Sequence, residues 1–182
     1  MEEVQLDFAP QFTALSYAWD SHEGMGQILC DGALLTVTKN CVAALNSIRD
    51  GQHSSKSLLW VDAICINQAS TREKQQQIAI MGNVYRKAAS VRVWLGEEDE
   101  ASRLVCKYFA RISGINSEPR TTWFRSRARE EKPREIGFNS ARQWPQLSKS
   151  LTDFFSRSWF TRAWPIQEVT LPQPGRVPTL SH

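Results

Sequence analysis

Leu58 to Ile66 (LLWVDAICI) is almost continuously apolar, broken by one carboxylate at Asp62. A run of this kind fits a strand covered on both faces, as in a parallel sheet. Just after it, Ser70-Thr71-Arg72-Glu73 matches a capping box, opening a helix in which Ile78, Met81, Tyr85 and Ala88 recur at three- and four-residue spacing. That helix is predicted to reach about Ala88. Ser90 to Leu95 (SVRVWL) alternates and closes on Gly96, giving another strand; an acidic turn at Glu97 to Glu100 and a helix through about Ile112 follow. Strand and helix alternating in this order predict βαβ units, hence an α/β fold on a doubly wound, mostly parallel sheet.

Toward the N-terminus, Phe12 to Trp19 (FTALSYAW) reads as a first strand that ends in a loop at Asp20 to Gly26. Gln27 to Val37 sets Asp31-Gly32 between two β-prone runs, the short-range signal for a small hairpin. Asn40 is placed to cap a helix through about Arg49, with Val42, Leu45 and Ile48 as its apolar stripe. The polar stretch Asp50 to Ser57 is a surface loop.

Toward the C-terminus the periodicity fades. Residues 113–144 gather Arg120, Arg125, Arg127, Arg129, Lys132, Arg134 and Arg142 with Pro119 and Pro133, and read as a mobile, arginine-rich insertion. Gln146 to Phe155 resumes an apolar helical pattern, and Pro165 requires that any following helix start just before it, near Thr161. The expected organisation is a tail over 1–11, one domain over 12–171 containing the insertion, and a loose, proline-punctuated tail over 172–182.

The chain has 182 residues with 41% hydrophobic content, enough for one core and too few for two comfortable domains. The net charge of +3 comes mostly from the arginine-dense stretch, which argues against a general nucleic-acid binder. Met1 to Pro10 carries Glu2, Glu3 and Asp7 and resembles neither a signal nor a transit sequence, and no segment is long and apolar enough to span a membrane. The expectation is a cytoplasmic protein. Cys30, Cys41, Cys65, Cys106 and the three histidines are scattered, so reduced thiols and no metal site are expected. Gly24-Met25-Gly26 lacks the third glycine of a dinucleotide fingerprint, and neither a P-loop nor a Gly-x-Ser-x-Gly elbow occurs.

Four blocks carry a resemblance: Leu15-Ser16-Tyr17-Ala18-Trp19; Leu59 through Asp62 to Asn67-Gln68; Glu73 through Met81 and Tyr85 to Trp94-Leu95-Gly96; and Arg157-Ser158-Trp159-Phe160-Thr161-Arg162-Ala163-Trp164-Pro165-Ile166-Gln167-Glu168. Their order and spacing are similar to the signature of the fungal heterokaryon-incompatibility (HET) domain from roughly Ala14 to Val169. Asp20 stands where that family usually has glycine, and Pro165 where it usually has an apolar residue. The resemblance implies an effector that triggers programmed cell death after non-self recognition, with other HET-family or sensor proteins and self-association as its partners. The HET family in turn resembles the TIR domain, a flavodoxin-like fold, and several TIR proteins cleave NAD at the glycosidic bond to nicotinamide. That likeness implies Glu168 as the catalytic carboxylate and NAD as a substrate, with no tightly bound cofactor.

Such a site needs a carboxylate beside an oxocarbenium-like ribose, while the cationic leaving group dispenses with a strong general acid. Tyr17, Trp19 or Trp164 would stack the pyridinium, a contact worth about 0.5–2 kcal/mol. The Ser16 to Trp19 stretch and the Asn67-Gln68 loop belong beyond the carboxyl ends of the strands, where open α/β sheets bind ligands. Arg162 reads equally as a phosphate contact or as half of a structural ion pair. Asp62 reads as a ligand contact or as a carboxylate holding loop N–H groups, and Glu168 as catalyst or as a structural hydrogen-bond partner. The bland alternative to an enzyme is a non-catalytic adaptor that acts by self-association.

Overall fold

A computed structural model describes residues 3–20, 24–51, 58–112, 140–162 and 179–181. The chain forms β1 (Phe12–Tyr17), a hairpin of β2 (Met25–Cys30) and β3 (Ala33–Thr38), α1 (Lys39–Gly51), β4 (Leu58–Trp60), α2 (Asp62–Cys65), α3 (Thr71–Lys87), β5 (Ser90–Trp94), α4 (Glu100–Ile112), α5 (Ser140–Phe155) and β6 (Thr179–Ser181). The main sheet runs β4-β1-β5-β6, and each pairing within it is parallel. β1 is central: Phe12 aligns with Leu58 on one side, and Thr13 to Tyr17 align with Ser90 to Trp94 on the other.

Because side chains alternate along a strand, β1 and β5 supply two cores. Phe12, Ala14, Val91 and Val93 pack with Val84 and Tyr85 of α3, Ala88 just after it, Val105 of α4 and Phe154 of α5. Leu15, Tyr17 and Trp94 pack with Cys41, Ala44 and Ile48 of α1 and Val37 of β3. Helices therefore cover both faces, which is why the strands carry apolar residues on both. Tyr85 of α3 donates its hydroxyl to the Leu15 carbonyl (3.2 Å) and meets Trp60 edge-on at 5.7 Å, which fixes that helix over β1.

The hairpin turns on Asp31-Gly32, both with positive φ (48° and 79°), as a two-residue hairpin loop requires. Ser70 caps α3 by accepting from Glu73 N at 3.2 Å; the Glu73 carboxylate reaches back to Asn67 N at 2.9 Å, so the expected capping box is widened by one loop.

Four local expectations are corrected. The apolar run from Leu58 is a strand only to Trp60. Asp62 then accepts from its neighbour's backbone at Ala63 N (2.7 Å), and the Val61 carbonyl takes the N–H groups of Ile64 and Cys65, so the chain turns once as a helix and leaves the sheet. Asn40 is not the cap of α1. Thr38 Oγ1 accepts from Cys41 N (3.2 Å), while Asn40 is buried and bridges Ala18 O (2.7 Å), Asp20 Oδ2 (3.3 Å) and Trp94 Nε1 (2.6 Å). α5 begins at Ser140 with Pro145 inside it, earlier than Gln146, and the rest of the arginine-rich insertion lies outside the described residues. Within the tail expected to be loose, Thr179–Ser181 aligns with Arg92 to Trp94 as the outer strand.

Asn40→Ala strands the buried Trp94 N–H and the Ala18 carbonyl, and is expected to cost roughly 2–4 kcal/mol in urea-induced unfolding. Thr38→Ala removes only the helix cap and is expected to cost about 1 kcal/mol. Equal costs for the two would return the capping role to Asn40.

Candidate functional site

The parallel arrangement brings the carboxyl ends of β4, β1 and β5 to one edge of the sheet, and the chain that follows α5 is laid across that edge. Arg157 fastens it first: its guanidinium donates to Leu95 O (3.1 Å) and Glu97 O (3.4 Å), and pairs with Asp99 at 2.8 Å. Gly96, with φ of 101°, makes the turn beneath it, a backbone conformation that favours glycine. Trp159 donates its indole N–H to buried Ser16 Oγ at 2.7 Å, Ser158 Oγ donates to Asp20 Oδ2 at 2.6 Å, and Arg162 Nη1 donates to Tyr17 O at 2.6 Å. Residues from opposite ends of the sequence thus share one structure.

Between these parts lies a cleft of about 560 Å³ lined by Ala18, Trp19, Asp20, Asp62, Ile78, Met81, Ser158, Thr161 and Arg162. Its floor is organised by Asp62, whose Oδ2 accepts from Trp19 Nε1 at 2.9 Å while Oδ1 accepts from Ala63 N. Burial pushes the Asp62 carboxyl above the usual carboxylate range; the bonds from Trp19 and Ala63, the nearby Tyr17 hydroxyl and the charge of Arg162 pull the other way without cancelling it. Tyr17 is almost wholly buried behind the cleft. Burial first, then the Asp62 charge and the Cys41 thiol, raise its phenol far above its ordinary value, and its hydroxyl lies close to both groups without a well-formed hydrogen bond among the described residues.

The sequence-predicted residues are distributed unevenly around this cleft. Trp19, Asp62 and Arg162 line it together. Tyr17 sits behind it, leaving Trp19 as the aromatic face presented there by the loop after β1. Gln68 uses its amide to hold the Asp62 carbonyl at 3.0 Å, and exposed Asn67 braces its own loop by accepting from Ala69 N at 3.0 Å. Trp164 and Glu168 lie outside the described residues. Sequence reasoning missed Asp20, Ser158 and Thr161 as lining residues, and assigned Ile78 and Met81 to a packing stripe. Asp20 left one trace: it has a positive φ (24°), the conformation for which glycine is the ordinary choice, at the position where the sequence departs from a glycine.

Among the described residues no group of three or more His, Cys, Asp or Glu side chains is placed to hold a metal ion, and no helix is long and apolar enough to cross a membrane.

Comparison with known proteins gives two findings. The sequence model of the family described as "Heterokaryon incompatibility protein (HET)" matches residues 12–168. The chain is also 30% identical over 188 aligned residues to "Heterokaryon incompatibility protein 6, OR allele" of Neurospora crassa, an alignment that covers 89% of this chain and 28% of that protein. The chain therefore spans a little over a quarter of the length of this relative. No solved structure matches.

The raised carboxyl gives a signed prediction. A buried acid with an elevated folded-state pKa contributes stability that is fully present below its unfolded value near 3.8 and is lost as pH rises through the folded value. The melting temperature of Asp62→Asn minus that of the wild type should therefore increase from pH 4 to pH 7 in a thermal-unfolding series. A difference that stays flat or falls over that range contradicts the burial argument.

Proposed function

This chain belongs to the heterokaryon incompatibility (HET) family, and from that premise we propose that it is an incompatibility effector that promotes programmed cell death after non-self recognition by cleaving NAD in the cleft at the carboxyl edge of its sheet. One observation carries the reading: an exposed tryptophan, a buried carboxylate and an arginine, drawn from the loop after β1, the turn after β4 and the segment after α5, line the same cleft. In an open α/β sheet that edge is where ligands bind. The parallel β4-β1-β5-β6 core with helices on both faces is compatible with a flavodoxin-like, TIR-like arrangement, which this reading adopts.

The chemistry is a hydrolysis. The bond between the ribose C1′ and the pyridinium nitrogen breaks, nicotinamide leaves neutral with the bonding pair, and an oxocarbenium-like ribose remains. Water adds at C1′ and releases a proton, giving ADP-ribose. A carboxylate close to the sugar stabilises the developing positive charge, and an aromatic face holds the cationic ring. In this proposal Glu168 supplies the catalytic carboxylate and Trp19 the aromatic face. Arg162 is the candidate phosphate contact, while Asp62 keeps Trp19 in place.

A second reading is favoured by a separate feature. The hairpin leaves Met25, Leu29 and Leu34 54%, 73% and 66% exposed, and Leu29 and Leu34 are cross-strand partners. Such an apolar face suits an adaptor that assembles with copies of itself or with other HET-family or sensor proteins and performs no chemistry.

Purified protein, clustered through a fused oligomerising tag, is expected to release nicotinamide from NAD, and Glu168→Gln is expected to lower the rate by about a hundredfold or more with an unchanged unfolding curve. Release at the wild-type rate in that variant overturns the assignment of Glu168. Undiminished killing by the same variant, with cellular NAD intact, favours the adaptor.

A further inference from the structure

We propose that Ile78 and Met81 of α3 form the aliphatic wall of a ring-binding slot whose aromatic wall is Trp19, and that this slot selects a planar ring bearing positive charge. The inference rests on the ligand-binding reading of the cleft and adds to it the residues and the charge preference that set specificity. Trp19 is 41% exposed, yet its indole N–H is fixed to the buried Asp62 carboxylate. A large aromatic held by a polar anchor while its surface stays in water has been placed rather than packed: the anchor restricts the orientation of the ring and leaves apolar area for another group to cover.

Another element that lines the cleft, α3, shows the same pattern. The stripe of α3 that packs on the sheet at buried Val84 and Tyr85 continues, toward the start of the helix, to Met81 and Ile78. Both line the cleft, and Ile78 is 47% exposed although it belongs to the stripe by spacing. Neither side chain can read a hydrogen-bonding edge. The wall they make is suited to the flat face of a ring.

Charge then separates one ring from another. Among the described residues, the ionisable side chains lining the cleft are Asp20, Asp62 and Arg162, and Arg162 already donates to the Tyr17 carbonyl. Two carboxyls against one engaged guanidinium, beside the face of an indole, favour a cationic ring over a neutral one of the same shape.

Nicotinamide and its N-methyl cation share the ring and the amide, and differ in charge and one methyl group. Titration of each into ¹⁵N-labelled protein, following the Trp19 indole N–H identified by its loss in Trp19→Phe, is expected to shift that resonance. The cation should bind about two- to thirtyfold more tightly than the neutral compound. Ile78→Glu should tighten the cation and Ile78→Lys should weaken it, with the remaining tryptophan signals unchanged as a control for folding. Equal affinities for the two compounds, no movement of the Trp19 signal, or the same response from both Ile78 variants overturns the slot. Nicotinamide release separates this proposal from the one it rests on: charge-selective binding at Trp19 without release upholds the slot and sinks the catalytic reading, whereas release that is unaltered in Ile78→Lys sinks the slot and spares the catalysis.

Discussion

A carboxylate taken out of water must be met by hydrogen-bond donors, and the donors that meet Asp62 are the indole of Trp19 and the first N–H of its own helical turn. Much of the cleft follows from that requirement. The bond from Trp19 ties the loop after β1 to the end of β4, so two neighbouring strands finish at one polar point. The bond from Ala63 explains why the chain abandons the sheet at Val61 and does not continue the apolar run as a strand. Asp62 ends up 8% exposed, at the sheet edge and not within the sheet. There its carboxyl stays close to a ligand-sized cleft while remaining satisfied.

The second constraint is the way the C-terminal segment is fastened. Arg157 grips two carbonyls beyond β5, Trp159 reaches Ser16 inside β1, and Arg162 takes the last carbonyl of β1. Trp159 also packs edge-on against Phe160 at 5.1 Å, which helps to seal the end of α5 against the core. These contacts bind the ends of β1 and β5 into one rim. Asn40 adds a fourth tie from α1 by linking Trp94, Ala18 and Asp20, so the β1 loop is held from both faces of the sheet.

The elements most legible in the sequence were those fixed by local chemistry. Asp31-Gly32 demanded a turn, Ser70 with Glu73 demanded a helix start, and the alternation closing on Gly96 demanded a strand. Where a residue had both a local and a distant use, local reasoning chose wrongly. Asn40 has the chemistry of a cap, but Thr38 does the capping and Asn40 is drawn into a long-range network that no spacing reveals. An unbroken apolar run is as compatible with a strand followed by one helical turn as with a longer strand, and the arbiter was the short side chain of Asp62 competing for backbone. In the cleft, Trp19, Asp62 and Arg162 came from the family resemblance, which carries position without geometry. Ile78 and Met81 escaped notice because the spacing that packs a helix on a sheet is the same spacing that lines a cleft beyond the sheet.

The account stands on a single shared cleft built from the loop after β1, the turn after β4 and the segment after α5. Hydrogen–deuterium exchange of the Glu168→Gln chain, with and without excess NAD, tests that directly, since a ligand in the cleft must slow exchange in all three places together. The account predicts slowed exchange in peptides covering Ser16 to Asp20, Asp62 to Gln68 and Ser158 to Arg162. Protection confined to other parts of the chain, or to one of the three alone, would contradict it.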